Sequence, residues 1–322
     1  MPVWQLTVPS QRRRIAELML QFSIALLGPG ETSEATPDRL SEGIFPAHVR
    51  RFVREASAGD ALVLRIGRER AIAVGEIAGP YEYLPQFEDV DGFDLRHTRR
   101  VRWYPFAVEQ GREHGLLPAG NSPFVPVTSA ALVALARSAL DQAPRPARSS
   151  PLPALPPEQP IVEDSRPQIR QLIAEAEDLW QLYRVRQHFG EPPSESELVG
   201  HLVVRLARAL GWRPEQIAVE WRRVDVALFR RLPRLPENLH LVMEAKKIGA
   251  ASLDALKQAR EYLNAIGAMT DVIVTDGFTY RRYKAAGGYS PDGYLNMCRL
   301  TADGARLLDE MSSDRVREEE NR

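Results

Sequence analysis

Two short apolar runs in the second half of the chain constrain its fold more than any other feature. Val224–Phe229 and Leu241–Lys247 each have the length of a β-strand and are rich in β-branched and large apolar side chains. The segment Leu232–Asn238, which is rich in turn-forming residues, separates them. The pattern predicts a hairpin that brings Asp225 close to Glu244.

Three charged side chains share one face of this predicted hairpin. Successive side chains of a strand point to opposite faces, so Glu244 and Lys246 lie on the same side. Together with Asp225 they place two carboxylates and one lysine beside apolar residues, which is unfavourable unless something compensates for it. Mg²⁺ would compensate, because it is bound by one or two carboxylates plus substrate phosphate. The pattern predicts metal-dependent phosphodiester hydrolysis; solvated residues on an exposed sheet face are the alternative.

This stretch resembles the catalytic core of the PD-(D/E)XK nucleases. The motifs RVDVALF, VMEAKK, QAREY and IVTDG are most similar to the nuclease domains of type I restriction subunits and Mrr-like restriction enzymes. The resemblance covers roughly residues 192–285 and implies an α/β domain, a mixed sheet flanked by helices. It implies that Asp225 and Glu244 bind Mg²⁺, with Mn²⁺ as a substitute. Lys246 would then orient or activate the attacking water.

A glutamate on the first helix of this domain has two interpretations. Ser194 and Glu197 form an S-x-x-E capping box, which requires no catalytic role. The resembling nucleases place a glutamate on the equivalent helix, directed at the metal site. Glu197 is therefore also a candidate catalytic residue, and a different glutamate could contact the metal while Glu197 caps the helix.

A second helix is predicted over Ser252–Ala265. Gln258 and Tyr262 are four residues apart and share one of its faces. In the resembling restriction subunits a Q-x-x-x-Y helix lies against the catalytic site. This implies that Gln258 supports the reacting groups and that Tyr262 lies near DNA; a surface glutamine and a half-buried tyrosine are the alternative.

The N-terminal segment, residues 1–142, has the pattern of a small barrel-like α+β domain. Helical spacing begins at Ser10, although Phe22–Leu27 could equally form a buried strand. The remaining predictions are a helix, a hairpin of two strands and a further strand: Gly43–Ala56, Ala61–Ile66 with Arg70–Ile77, and Val101–Phe106.

This segment resembles the PUA-like superfamily that includes the EVE and YTH domains. The similarity lies in GDALVLRIGRERAIAVGEIAGPYEY and, after a loop, HTRRVRW. It implies a PUA-like β-barrel that binds a modified base, extruded or single-stranded, between aromatic side chains. Trp103, Tyr81 and Tyr83 are the candidate walls, and Arg65 a candidate polar or phosphate contact. Ordinary core aromatics of a small barrel are the alternative.

A proline-rich stretch, Ala143–Pro160, divides the two resemblances. Proline lacks a backbone donor and has a fixed φ, so a stiff, extended spacer is expected. The helix predicted over Gln168–Phe189 carries an apolar stripe, for packing on the nuclease core or for dimerisation. The expected organisation is a base reader, linker, connector helix, nuclease and charged tail, at 1–142, 143–167, 168–190, 191–300 and 301–322.

The composition of the chain limits which partners it is expected to bind. The formal charge of −1 excludes a uniformly basic nucleic-acid binder, so any DNA surface is a local patch. The candidate patches are pairs of basic residues: Arg222-Arg223, Arg230-Arg231, Lys246-Lys247 and Arg281-Arg282. Cys298 is the only cysteine, which excludes an intrachain disulfide. No segment has the pattern of a membrane span or secretory leader, so a cytoplasmic protein is expected.

The two resemblances together imply a type IV-like, modification-dependent restriction endonuclease that acts in phage defence. It would recognise a modified base in DNA and hydrolyse the backbone with Mg²⁺. No Walker motif is present, so no ATP-driven motor is expected. One Asp…ExK set cuts one strand at a time, which favours a homodimer. An RNA-acting or repair nuclease, and a non-catalytic binder of modified nucleic acid, remain alternatives.

Overall fold

The chain separates into two units, and the described strands form one six-stranded sheet in each. The N-terminal unit comprises Met1–Val90 with Asp94–Leu155, and the C-terminal unit comprises Asp91–Phe93 with Pro156–Arg322. The computed structural model describes residues 1–9, 12–28, 45–67, 70–88, 90, 93–111, 123–142, 146–154, 161–184, 193–248 and 253–320. Parts of the predicted linker (143–167), of the connector helix (168–190) and of the helices predicted from Ser10, over Gly43–Ala56 and over Ser252–Ala265 lie outside these residues.

The N-terminal unit is a mixed α+β unit whose sheet curls into a half-barrel. The strand order is β2-β5-β4-β3-β1-β6; β1 and β3 are parallel and the other neighbours antiparallel. Its elements are β1 Val3–Val8, α1 Arg13–Phe22, β2 Ile24–Leu27, α2 Ala47–Arg50 continuing as a π-helical turn Arg51–Glu55, β3 Ala61–Ile66, β4 Arg70–Tyr83, β5 His97–Gln110, β6 Phe124–Pro126 and α3 Ala130–Gln142.

The predicted hairpin is confirmed as β3 and β4, and β4 continues to Tyr83. The ambiguity after α1 is resolved in favour of a strand. Ser23 adopts a left-handed conformation with φ 53°, which ends the helix, and all of Ile24–Leu27 is buried. The sequence patterns did not predict β1, β6 or α3.

The proline-rich stretch differs from the free spacer that was expected. Ala147 donates its backbone N–H to the Trp103 carbonyl, and Ser150 donates to the Gln21 carbonyl, each at 2.7 Å. The non-proline residues between the prolines keep their donors, so an extended segment of this kind can still bond to a neighbouring backbone. Residues 146–154 therefore lie along the N-terminal unit.

The C-terminal unit is a mixed sheet with helices on both faces. The strand order is β12-β11-β10-β9-β8-β7, and only the β9–β10 pair among the described strands is parallel. Its elements are α4 Pro167–Arg184, α5 Glu195–Leu198 continuing through a π-helical turn Val199–Val203 into α6 Val204–Ala209, β7 Ile217–Trp221, β8 Val224–Phe229, β9 Leu239–Ala245, α7 Leu253–Ala265, β10 Asp271–Thr275, β11 Thr279–Lys284, β12 Ser290–Asn296, α8 Ala302–Glu310 and α9 Ser313–Glu320.

Two apolar clusters cover the faces of this sheet. Met243 of β9 packs with helices α4, α6 and α8, whereas its neighbour Val242 packs with α7 on the opposite face. Side chains alternate along β9, so Glu244 lies on the α7 side. The apolar stripe of α4 is buried in its own unit, which favours packing over dimerisation as the role of this helix.

The C-terminal residues do not form the charged tail that was expected. Leu307 of α8 is fully buried, and Trp212 donates its indole N–H to the Met311 carbonyl at 2.9 Å. The apolar residues of this segment recur at helical spacing, and the surrounding charges concealed that pattern. Within the described residues no helix has the length and apolar character needed to cross a membrane.

Candidate functional site

The structure brings Asp225, Glu244 and Lys246 together where β8 and β9 diverge. Val226 pairs with Met243, so Asp225 and Glu244 each lie one residue beyond the last pair of this ladder. The Asp225 carboxylate then takes the place of a backbone partner, since its Oδ2 accepts the N–H of Ala245 at 2.7 Å. Lys246 Nζ lies 2.9 Å from Glu244 Oε1. The predicted constellation is therefore present in the fold.

Glu244 is the most buried charge of this group. Its side chain is 1% exposed, and its Oε2 is buried without a hydrogen-bond partner. Burial raises the pKa of Glu244 to about 7; the hydrogen bond from Lys246 opposes the shift, while the charges of Asp225 and Glu195 add to it. The carboxylate is held in an environment that its lysine partner does not fully neutralise.

Burial and neighbouring charges also shift the pKa values of Asp225 and Lys246. Burial raises the pKa of Asp225 against the Ala245 N–H and the Lys246 ammonium, and the charges of Glu195 and Glu220 raise it further. Burial alone would lower the pKa of Lys246, but the hydrogen bond to Glu244 and the negative charges of Glu244, Glu195 and Asp225 together outweigh burial and raise it. Lys246 is therefore an ammonium at neutral pH.

The donor set at this position suits a hard divalent cation. Glu244 Oε2 has no partner, and Asp225 Oδ1 makes no hydrogen bond within the described residues. Carboxylate oxygens are the ligands that Mg²⁺ takes. Asp225 and Glu244 form a pair: no group of three or more His, Cys, Asp or Glu that could hold a metal occurs in the part of the chain that the structure describes.

The helical glutamate that influences this pair is Glu195, and the expectation for Glu197 needs correction. Glu197 is exposed and its carboxylate accepts the Ser194 N–H at 2.8 Å, completing the capping box. Glu195, two residues earlier, contributes its charge to the pKa values of Asp225 and Glu244. Both glutamates stand in the same helical turn, so the sequence alone did not reveal which one acts on the two carboxylates.

Gln258 and Tyr262 lie on one face of α7, as predicted. Gln258 Nε2 donates to the Tyr262 hydroxyl at 2.7 Å, and both side chains are partly buried. Tyr262 packs against the apolar cluster on the α7 side of the sheet, the side that carries Glu244. That Gln258 supports the reacting groups and that Tyr262 lies near DNA stays a prediction.

Two of the predicted base-contacting residues are structural. Trp103 is fully buried and donates its indole N–H to the Ile24 carbonyl at 2.9 Å. Arg65 is also fully buried and donates to Gln5 Oε1 at 2.6 Å. Neither is accessible to a base or phosphate, because both point into the core of the curled sheet. The alternative of core residues was therefore correct for these two.

Tyr81 and Tyr83 are half-buried and surround His97. The Tyr81 hydroxyl lies 2.9 Å from His97 Nδ1, and the Tyr83 ring meets the His97 ring edge-on at 5.5 Å between centroids. The Arg96 guanidinium lies 5.0 Å from the Tyr83 centroid and is paired with buried Asp94. Burial raises the pKa of Asp94 to about 6 against the opposing effect of Arg96. The sequence interpretation missed His97, Arg96 and Asp94.

The predicted basic patches differ in exposure. Arg282 was expected on the surface, but it is buried and forms ion pairs with Asp292 and Glu310. Arg222 and Arg223 are exposed at the turn between β7 and β8. The strand alternation of β11 fixes the direction of Arg282, and the acidic partners come from β12 and α8.

Comparisons with known proteins cover only parts of the chain. A family model described as a domain of unknown function, DUF8426, matches residues 33–112. No curated protein matches the chain. A solved structure similar to the chain is the YTH domain of the Zygosaccharomyces rouxii MRB1 protein in complex with N6-methyladenosine RNA. The identity is 16% and the TM-score 0.26, and the match covers 43% of this chain and 88% of that one.

Removing the Glu244 charge should stabilise the metal-free protein. Between about pH 4.5 and pH 7, Glu244 of the folded protein retains a proton that the unfolded chain releases. The free energy of unfolding therefore falls as the pH rises through this range. In chelator at pH 8, Glu244→Gln should increase the free energy of unfolding by on the order of 2 kcal/mol. The gain should vanish below about pH 4.5. Urea denaturation across this pH range measures it.

Glu237→Gln is the matched control, because Glu237 is an exposed glutamate of the same unit. It should follow the parent protein at every pH. A Glu244→Gln protein that is less stable than the parent at pH 8 would show that the lysine contact outweighs desolvation, contrary to this account.

Proposed function

We propose that the chain is a modification-dependent endonuclease whose C-terminal unit hydrolyses the DNA backbone with Mg²⁺. The observation that carries the proposal is the buried Glu244 carboxylate, with one oxygen lacking a partner, beside Asp225 and the Lys246 ammonium. Groups with pKa values shifted by burial and by specific charges favour a functional site over a structural one. The resemblance of the surrounding motifs to PD-(D/E)XK nucleases supports the same reaction.

Each residue has a distinct role in the proposed hydrolysis. Asp225 and Glu244 would hold the cation, which when bound stabilises the charge developing on the phosphate and the leaving oxygen. Because the pKa of Lys246 is raised, its ammonium serves to orient a water or phosphate oxygen and not to remove a proton. Gln258 and Tyr262 border the same side of the sheet and would support the bound strand.

The N-terminal unit would read the modified base. Tyr81 and Tyr83 offer half-buried aromatic surface, and Arg96 beside Tyr83 offers a fixed cation. Stacking on aromatic rings together with hydrogen bonds to the base edge is how an extruded base is held. Unlike Trp103, these side chains retain exposed surface that a ligand could contact.

The first test is cleavage by the full-length protein with Mg²⁺. Substrates are matched duplexes with 5-methylcytosine, 5-hydroxymethylcytosine, N6-methyladenine or no modification, and an RNA of the same sequence. At least one modified duplex should be cut faster than the plain duplex and the RNA. Asp225→Asn and Lys246→Ala should each reduce the rate at least about 100-fold, since each removes a group that acts on charge in the transition state.

Tyr83→Ala provides the control for recognition. It should reduce the preference for modified over plain DNA while Mg²⁺-dependent cutting of plain DNA remains. Faster cleavage of RNA would identify an RNA-acting nuclease, and undiminished cleavage by Asp225→Asn would eliminate the proposed metal site.

The second test separates the two glutamates of the first helical turn. Glu195→Gln removes a charge that acts on Asp225 and Glu244, and should raise the Mg²⁺ concentration for half-maximal cleavage about fivefold. Glu197→Gln removes an equal charge and retains a capping side chain, so it should match the parent protein within about twofold. Equal effects of both substitutions would contradict the assignment of Glu195.

A further inference from the structure

The turn between β7 and β8 holds two arginines in a backbone conformation that arginine rarely adopts. Trp221 pairs with Val224, so Arg222 and Arg223 are the central residues of a two-residue hairpin turn. Their φ angles are 48° and 74°. Turns with positive φ at both positions strongly favour Asn-Gly, because a longer L-residue is strained there. Strain of this kind concentrates at sites where it serves function.

Aromatic rings fix the direction of both guanidinium groups. Arg222 Cζ lies 4.9 Å from the Trp221 centroid, and Arg223 Cζ lies 4.8 Å from the Tyr262 centroid. The Tyr262 ring is itself anchored by its hydrogen bond from Gln258. Both arginines are exposed, and neither forms an ion pair with a carboxylate in the described part of the chain. The turn thus presents two oriented cations to solvent.

The turn adjoins the proposed hydrolytic site. Only Val224 separates Arg223 from Asp225 along the chain. The register places Glu220 opposite Asp225, between the pairs Val219–Val226 and Trp221–Val224. The hairpin therefore carries two positive charges at its tip and carboxylates directly behind them. A polyanion whose phosphate reaches Asp225 would pass within reach of the arginines.

Three other basic residues of this unit have polar partners. Lys246 is paired with Glu244, and Arg282 with Asp292 and Glu310. Arg231, at the opposite end of β8, donates to Asn238 Oδ1 at 2.9 Å. The Arg222-Arg223 pair differs from these because its contacts are with ring faces, which leave the N–H groups of each guanidinium available to an anion.

We propose that Arg222 and Arg223 bind backbone phosphates of duplex DNA beside the phosphate that is hydrolysed at Asp225. The inference rests on the proposed function and adds the residues that position its substrate. A guanidinium binds phosphate through two parallel N–H···O bonds while its plane stays stacked on an aromatic ring. Asn-Gly, the relaxed alternative at this turn, would lack both charges.

The test is duplex binding by the full chain, in an Asp225→Asn background that prevents cleavage, measured by fluorescence anisotropy over a range of salt concentrations. Arg222→Asn with Arg223→Gly should weaken duplex affinity at least about tenfold near 0.1 M salt. The slope of log K against log salt should decrease by about 2, roughly 0.9 per phosphate contact. The thermal midpoint should stay the same or rise, because Asn-Gly relaxes the turn.

Two further variants separate the effect of charge from the effects of geometry and position. Arg222→Lys with Arg223→Lys keeps the charges, so the salt slope should be retained while affinity falls through the loss of bidentate geometry. Arg230→Ala with Arg231→Ala removes two charges at the other end of β8, roughly 20 Å away, and should leave the slope close to that of the parent.

Different outcomes distinguish this inference from the proposed function. The inference is overturned if Arg222→Asn with Arg223→Gly leaves the slope unchanged, or if Arg230→Ala with Arg231→Ala changes it equally. It is also overturned if the chain prefers single-stranded RNA or does not bind duplex DNA at all. If Arg222→Asn with Arg223→Gly shows the predicted slope change but the unsubstituted chain never cleaves the duplex, the arginine contact stands and the nuclease proposal fails.

Discussion

Burial of the Glu244 carboxylate is the constraint on which the organisation of the C-terminal unit depends. β9 lies between β8 and β10 in the sheet, so a side chain on this strand is covered from both sides. A buried carboxylate without full compensation is costly, and the raised pKa of Glu244 expresses that cost. Lys246 compensates one oxygen only, and the second carboxylate, Asp225, adds repulsion. A divalent cation bound at these carboxylates would offset this cost.

The distribution of charge around this pair fits a reaction on a polyanion. Glu195 and Glu220 make the centre more negative, which favours a cation there, and Arg222 and Arg223 place positive charge at the neighbouring turn. A net charge of −1 for the whole chain therefore conceals a local separation of charge. The arginines of the turn would attract DNA, and the carboxylates would repel it. The phosphate would therefore lie between the turn and the carboxylates.

The residues that the sequence predicted well are those whose positions follow from strand alternation. Asp225, Glu244 and Lys246 meet because two strands of period two are paired, and that period is visible in the chain. The direction of a helical side chain depends on how the helix enters the fold, which is why Glu195 and not Glu197 acts on the carboxylates.

Burial within a sheet depends on contacts between residues that are distant in the chain. Predictions of which side chains are exposed were therefore wrong more often. Trp103 and Arg65 were expected at a ligand surface, but the curled sheet encloses both. Arg282 was expected in solvent, but acidic residues from β12 and α8 pair with it. A residue type suggests a contact, and only the tertiary fold decides which partner reaches it.

Mg²⁺ binding to the metal-free protein, followed by isothermal titration calorimetry in buffers of different ionisation enthalpy, tests the central claim most directly. Because the pKa of Glu244 is about 7, binding at pH 7 should release about half a proton, more at pH 6 and almost none at pH 8.5. Glu244→Gln should abolish both the proton release and the binding. Saturable Mg²⁺ binding that releases no proton at any of these pH values, or that persists unchanged in Glu244→Gln, would contradict the account.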